Sequence, residues 1–234
     1  MKRRKKEKRA LREMPQTAFE QYKASLAHQE QAQLAAFFAD VKAHVLLAAE
    51  EKRKIHKDFE SALLHYAQAG VPLPEALARL APANLGGFYA RPAVLWYPLD
   101  DAAKIYPLSL RHGQMAVFRL SICFKQDIVP ALLQMALTFT IKRFPSFATT
   151  VKKGFFWHYL DAAKRRYTIG PESDMPCQPL QISRSGSQSF RVVYYGNRMS
   201  VEYFHILTDG TGGMVFLKTL AAEYLRLLGI AVSR

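Results

Sequence analysis

Two kinds of hydrophobic spacing meet near the end of this chain of 234 residues. From Met199 to His205 the residues alternate between apolar and polar types with a period of two, which is typical of a strand with one face against a core. After Gly213, apolar residues recur at steps of three and four as far as Leu227, which predicts an amphipathic helix stopped by Gly229. The order strand, glycine-rich turn, helix places His205 at the end of the strand.

The same period of two predicts further strands earlier in the chain. These lie over residues 117–124, 148–151 and 155–160, and a hairpin through Gly196 and Asn197 joins residues 190–195 to 199–205. Pro130 is predicted to open a helix that ends at Phe144 and Pro145. Residues 161–189 are rich in Pro, Ser, Arg and Gly, and we predict that they are mostly loop.

The first third of the chain has a helical pattern instead. Thr17 and Glu20 have capping-box spacing, and good helix formers dominate from there to about residue 57. A second helix is predicted over 58–69, ended by Gly70, and a third begins near Pro74. We therefore expect residues 14–80 to form a helical hairpin or small bundle, and residues 81–95, with their Pro, Asn and Gly, to form a linker.

Charge and cysteine content narrow the class of protein. Half of the formal net charge of +14 lies in the first twelve residues, so residues 1–13 are predicted to be a disordered basic tail without specific nucleic-acid binding. Apolar stretches are interrupted well before the roughly 20 residues that a membrane-spanning helix needs. Cys123 and Cys177 are too few for a disulfide framework, so the predicted location is the cytoplasm. No histidine spacing in the helical part predicts a metal site.

His205 is the residue with the clearest chemical potential. An imidazole has an ordinary pKa of about 6.5, so its neutral form can take a proton from a hydroxyl, thiol or amine. Asp209, four residues later, suits the fixing of the turn or the capping of the helix. The residue types alone also allow a structural interpretation, in which the His205 ring finds its hydrogen-bond partners within the fold and Asp209 is an ordinary helix N-cap.

The segment HILTDG followed by GGMVFLKTLAAEYLRL resembles the His-x-x-x-Asp-Gly motif of the chloramphenicol acetyltransferase-like superfamily, which includes condensation domains and alcohol acetyltransferases. The resemblance extends upstream through VFRLSICFKQDIVPALLQMALTFTIKRFPSFATTV and FRVVYYGNRMSVEYFH, and it looks closest to bacterial alcohol acetyltransferase-type proteins. It implies an α+β fold over residues 96–234, with a mixed sheet and helices on one face, preceded by the helical appendage.

The resemblance also implies roles for individual residues. His205 would be the general base, Asp209 its structural partner in the turn, and Gly210 the residue that permits close approach. The expected reaction is acyl transfer from a thioester, with acyl-coenzyme A as co-substrate and no permanently bound cofactor, to a small-molecule alcohol or amine.

Condensation-type enzymes have two similar halves, and the sequence matches only the first of them. We therefore expect a complementary acyltransferase half or self-association to complete the site. The alternative is a non-catalytic interaction module or the truncated half of a split acyltransferase.

Overall fold

The computed structural model of the protein describes residues 17–45, 47–85, 96–107, 115–153, 158–162, 166–180 and 189–232. Within these ranges the helices are α1 (Ala18–Ser25), α2 (His28–His44), α3 (Ala49–Gln68), α4 (Leu73–Arg79), α5 (Pro130–Thr140) and α6 (Gly210–Leu227). The strands are β1 (Trp96–Pro98), β2 (Val117–Cys123), β3 (Thr149–Lys153), β4 (His158–Ala162), β5 (Ile169–Pro171), β6 (Phe190–Tyr195) and β7 (Arg198–Phe204). Short 3₁₀ helices cover Pro82–Leu85, Ala103–Ile105, Ile141–Arg143 and Pro145–Phe147.

The described strands form two sheets. In the larger sheet, with the order β2, β7, β6 and β5, the first three strands pair antiparallel and β5 pairs parallel to β6. The smaller sheet has the order β1, β4 and β3, all antiparallel. The larger sheet is therefore mixed, and the predicted α+β class is confirmed.

One face of the larger sheet packs against α5 and α6. Phe118, Val201 and Tyr203 point from the sheet into the main hydrophobic cluster, where they meet Phe216 of α6 and Leu133 of α5. The alternation read from the sequence explains this arrangement, because every second residue of a strand faces the same side. Helices α5 and α6 thus cover this face of the sheet and support the end of β7.

Helices α1 to α4 belong to the same hydrophobic cluster as the larger sheet. The Tyr66 hydroxyl donates a hydrogen bond to the Leu227 carbonyl at 2.6 Å, which ties α3 to the end of α6. The Arg166 guanidinium donates to both carboxylate oxygens of Asp58, at 2.5 and 2.7 Å. The helical part is therefore packed onto the sheet layer, and the predicted domain limits remain a prediction.

Several predicted element limits differ from the structure. The helical run from Thr17 breaks after Ser25 and after His44, and α3 continues without a break past the limit predicted at residue 58. The Glu30 side chain accepts a hydrogen bond from the Ala27 N–H at 3.0 Å, which starts α2 without any glycine or proline to mark the break. The predicted tail at 1–13 and most of the predicted linker, residues 86–95, lie outside the described residues.

Candidate functional site

The backbone of His205 is held at the edge where β7 meets β2. His205 directly follows the last residue of β7, and its N–H donates a hydrogen bond to the Ala116 carbonyl at 2.8 Å. Ala116 in turn precedes β2, whose first residue Val117 pairs with Phe204. The strand pairing therefore carries on for one further hydrogen bond and places the histidine at the beginning of the turn.

Two aromatic rings hold the His205 imidazole. The Tyr106 ring stacks on it almost in parallel, with ring centroids 4.7 Å apart and planes 10° from each other. The Phe118 ring lies 4.8 Å away at an inclination of 50°. The side chain is half-buried, and its ring nitrogens make no hydrogen bond or ion pair with the residues that the structure describes.

Asp209 is the N-cap of α6. One of its carboxylate oxygens accepts a hydrogen bond from the Gly212 N–H at 2.7 Å, and its main-chain carbonyl accepts one from the Gly213 N–H at 2.9 Å. A carboxylate here satisfies a free N–H and complements the partial positive charge of the helix start. Within the described ranges Asp209 forms no ion pair, so its observed contacts are those of a capping residue.

The glycines of the turn differ in the space around them. A Cβ added at Gly210 meets no atom within 4 Å, so its predicted role in close approach to a ligand remains a prediction. A Cβ at Gly213 would lie 3.2 Å from the Phe118 ring and 3.3 Å from a methyl group of Leu120. At Gly212 the nearest atom would be the Thr208 hydroxyl oxygen at 2.2 Å. Within this turn the tight packing is therefore at Gly212 and Gly213 and not at Gly210.

Tyr203 joins the strand to this helix start. Its ring lies in the core, stacked on Phe118 with centroids 5.0 Å apart, and its hydroxyl donates a hydrogen bond to the Gly213 carbonyl at 2.8 Å. Burial raises the pKa of the Tyr203 hydroxyl well above its ordinary value of 10.0, so the group stays protonated and remains a donor. The alternation from Met199 to His205 predicted a face against the core but did not show this link.

The opposite face of the same sheet carries a buried charge network. Glu202 is fully buried, and its carboxylate accepts hydrogen bonds from the Arg119 guanidinium at 2.8 Å, from the Arg191 guanidinium, and from the Cys177 N–H at 2.8 Å. Hydrogen bonds from Arg119 hold the pKa of the neighbouring Glu172 carboxyl below its ordinary value. A buried charge needs such partners to be tolerated. The network thus locks the strand that leads to His205.

A metal cluster and a membrane-spanning helix are both absent from the described residues. No cluster of His, Cys, Asp or Glu in the described ranges has the arrangement of a metal site. Likewise, no helix in the part of the chain that the structure covers has the length and apolar character needed to cross a bilayer.

Comparison with protein-family models finds no match for this chain. A search of curated proteins also finds no match.

Solved structures do match. The starter condensation domain of rhizomide synthetase RzmA superposes with a TM-score of 0.49 and 14% identity, over 60% of this chain and 40% of that chain. A variant of that domain in complex with C8-CoA gives a TM-score of 0.49 and 14% identity, over 60% of this chain and 38% of that chain. Polyketide synthase associated protein 5 from Mycobacterium tuberculosis gives a TM-score of 0.46 and 14% identity, over 61% and 37% of the two chains.

This chain spans about two fifths of the length of those solved chains.

Proposed function

We propose that the chain is one half of a condensation-type acyltransferase, which moves an acyl group from a thioester such as acyl-coenzyme A to an alcohol or amine. The observation that carries this proposal is the His205 imidazole. It is half-buried at the end of β7, and its ring nitrogens have no hydrogen-bond partner within the described residues. The HILTDG motif, which resembles that of the chloramphenicol acetyltransferase-like superfamily, supports the same assignment.

In the proposed reaction His205 is the general base. A neutral ring nitrogen takes the proton from the acceptor hydroxyl or amine as that oxygen or nitrogen attacks the thioester carbonyl carbon. The carbon–sulfur bond then breaks, and the thiolate that leaves takes the proton back from the imidazolium. The products are an ester or amide and a free thiol, and the histidine returns to its neutral form.

A second polypeptide is part of the proposal. Ile105, next to the stacked Tyr106, is 66% exposed, and Val215, in the first turns of α6, is 52% exposed. Large apolar side chains at such exposure suit a contact surface. We propose that a complementary half or a second copy of this chain covers them and completes the acceptor channel.

The experiment is a comparison of thiol release from C8-CoA in the presence of a primary alcohol or amine. General-base catalysis typically contributes about 10²–10⁴-fold, so we expect His205→Ala to lower the rate by that factor. The control is His28→Ala, which removes an exposed histidine from α2. Parent and variants are assayed alone and mixed with a complementary half, and their folds are compared by circular dichroism. A release rate that His205→Ala leaves unchanged contradicts the assignment.

A non-catalytic interaction module is the second candidate. The observation that favours it is the ring packing, because a histidine stacked on Tyr106 and inclined against Phe118 also suits a purely structural role. In that case we expect a stable complex with a partner chain by analytical ultracentrifugation and no thiol release under any of the conditions above. Turnover by the chain, alone or in the complex, would exclude this candidate.

A further inference from the structure

A cavity of about 660 Å³ lies beside the end of α5 and α6. Cavities of about 300–1,000 Å³ are the usual size for small-molecule sites. Phe139 of α5, Ala222 of α6 and Val232, which follows α6, give part of its wall an apolar character. None of these residues belongs to the turn around His205, so the cavity is separate from the site proposed above.

The charged side chains that line this cavity are mostly positive. Arg226 donates two hydrogen bonds to one carboxylate oxygen of Glu223, at 2.9 and 2.5 Å, so these two opposite charges satisfy each other. Lys142, Arg143 and Lys218 line the same cavity and form no ion pair with any carboxylate in the described residues. Three positive side chains therefore share one concave surface, where Glu223, already paired with Arg226, offsets part of the charge at Lys142.

Lys142 lies near other charged side chains of the cavity, and their charges affect its pKa. Burial lowers the pKa of its ammonium group; the Glu223 carboxylate opposes that shift, and the positive charges of Arg143 and Arg226 add to it. A bound anion would relieve the repulsion between the cations.

We propose that this cavity binds an anionic small molecule that carries a phosphate group on an organic body. The phosphate would contact Lys142, Arg143 and Lys218, because ammonium and guanidinium groups are the usual protein partners of phosphate oxygens. The organic body would lie against Phe139 and Val232. This site is independent of the acyl-transfer chemistry, so it does not require the proposed function to be correct.

The test is isothermal titration of the full chain with two probes, inorganic phosphate and ADP. Lys142→Gln combined with Lys218→Gln removes two cations, and we expect it to weaken binding at least about 10-fold because charge-assisted hydrogen bonds are lost. Ala222→Trp fills the cavity without a change in charge, and we expect a similar loss. The control combines Lys23→Gln with Lys57→Gln, two exposed helical lysines outside the cavity, and should bind like the parent.

The results distinguish a free phosphate ion from a phosphate group carried on an organic molecule. Tighter binding of ADP than of phosphate, with loss in both cavity variants, supports a phosphate carried on an organic body. Equal binding of both probes, with the same losses, assigns the site to the free anion and overturns the organic part of the proposal. No measurable heat with the parent chain overturns the site itself. An equal loss in the lysine control also overturns it, because the binding would then be nonspecific and the basic residues 2–12 could account for it.

Discussion

The cap at the start of α6 can be tested directly with Asp209→Ala. The Asp209 carboxylate accepts a hydrogen bond from the Gly212 N–H at 2.7 Å, and its removal leaves that donor without a partner among the described residues. Loss of an N-cap side chain costs about 0.5–2 kcal/mol, typically about 1 kcal/mol. For a chain of this size, 1 kcal/mol corresponds to a change of about 2–4 °C in Tm. We therefore expect Asp209→Ala to melt about 2–4 °C below the parent.

A second substitution at the same position separates the hydrogen bond from the charge. Asp209→Asn keeps an oxygen acceptor for Gly212 but loses the favourable interaction with the helix dipole, worth about 0.3–1 kcal/mol. We therefore expect Asp209→Asn to melt between the parent and Asp209→Ala. Thermal unfolding followed by circular dichroism measures all three, and Asp174→Ala, at an exposed loop carboxylate, controls for the change in charge. If Asp209→Ala has the same Tm as the parent, the capping explanation is wrong.

Two further predictions concern the contacts that support the site. Glu202→Ala leaves the Arg119 and Arg191 guanidiniums without their buried partner. We therefore expect the free energy of unfolding, measured with urea, to fall by about 3–5 kcal/mol. A loss below about 1 kcal/mol would show that the network does not hold the strand. Tyr66→Phe removes the hydroxyl that binds the Leu227 carbonyl, and we expect a loss of about 1 kcal/mol. An unchanged urea midpoint for Tyr66→Phe would contradict the proposed tie between α3 and α6.

The local elements around the site could be predicted from the sequence because their signals are local. Gly196 adopts a φ of +52° in the turn between β6 and β7, as expected for a glycine in a tight hairpin. Gly229, at φ +85°, follows the last residues of α6 as predicted. The short strand β5 lies within the segment 161–189, which is predicted to be mostly loop, and no local pattern marks it, because it has only three residues and pairs with β6 more than 20 residues later.

The surroundings of the candidate residues could not be predicted in the same way. Tyr106 and Phe118 lie about 90 to 100 positions before His205 in the sequence, and only the folded sheet brings their rings together. Glu202 occupies the polar side of an alternating strand, which usually indicates exposure to solvent. Its burial follows from Arg119, which is 83 residues away and reaches it across the β2–β7 pair. Such long-range contacts leave no periodic signal in a single sequence.

The most direct test of the central claim is the reactivity of His205 toward diethyl pyrocarbonate, followed residue by residue with peptide mass spectrometry. A half-buried imidazole whose nitrogens have no partner in the described residues should be modified in the folded chain, and C8-CoA at saturation should protect it. The exposed His28 should react equally with and without C8-CoA. Protection of His205 alone, in parallel with retained transfer activity, is the result predicted here. A His205 that stays unmodified in the folded chain, or reacts at the same rate in the presence of C8-CoA, would contradict the claim that this imidazole meets the acyl-transfer substrates.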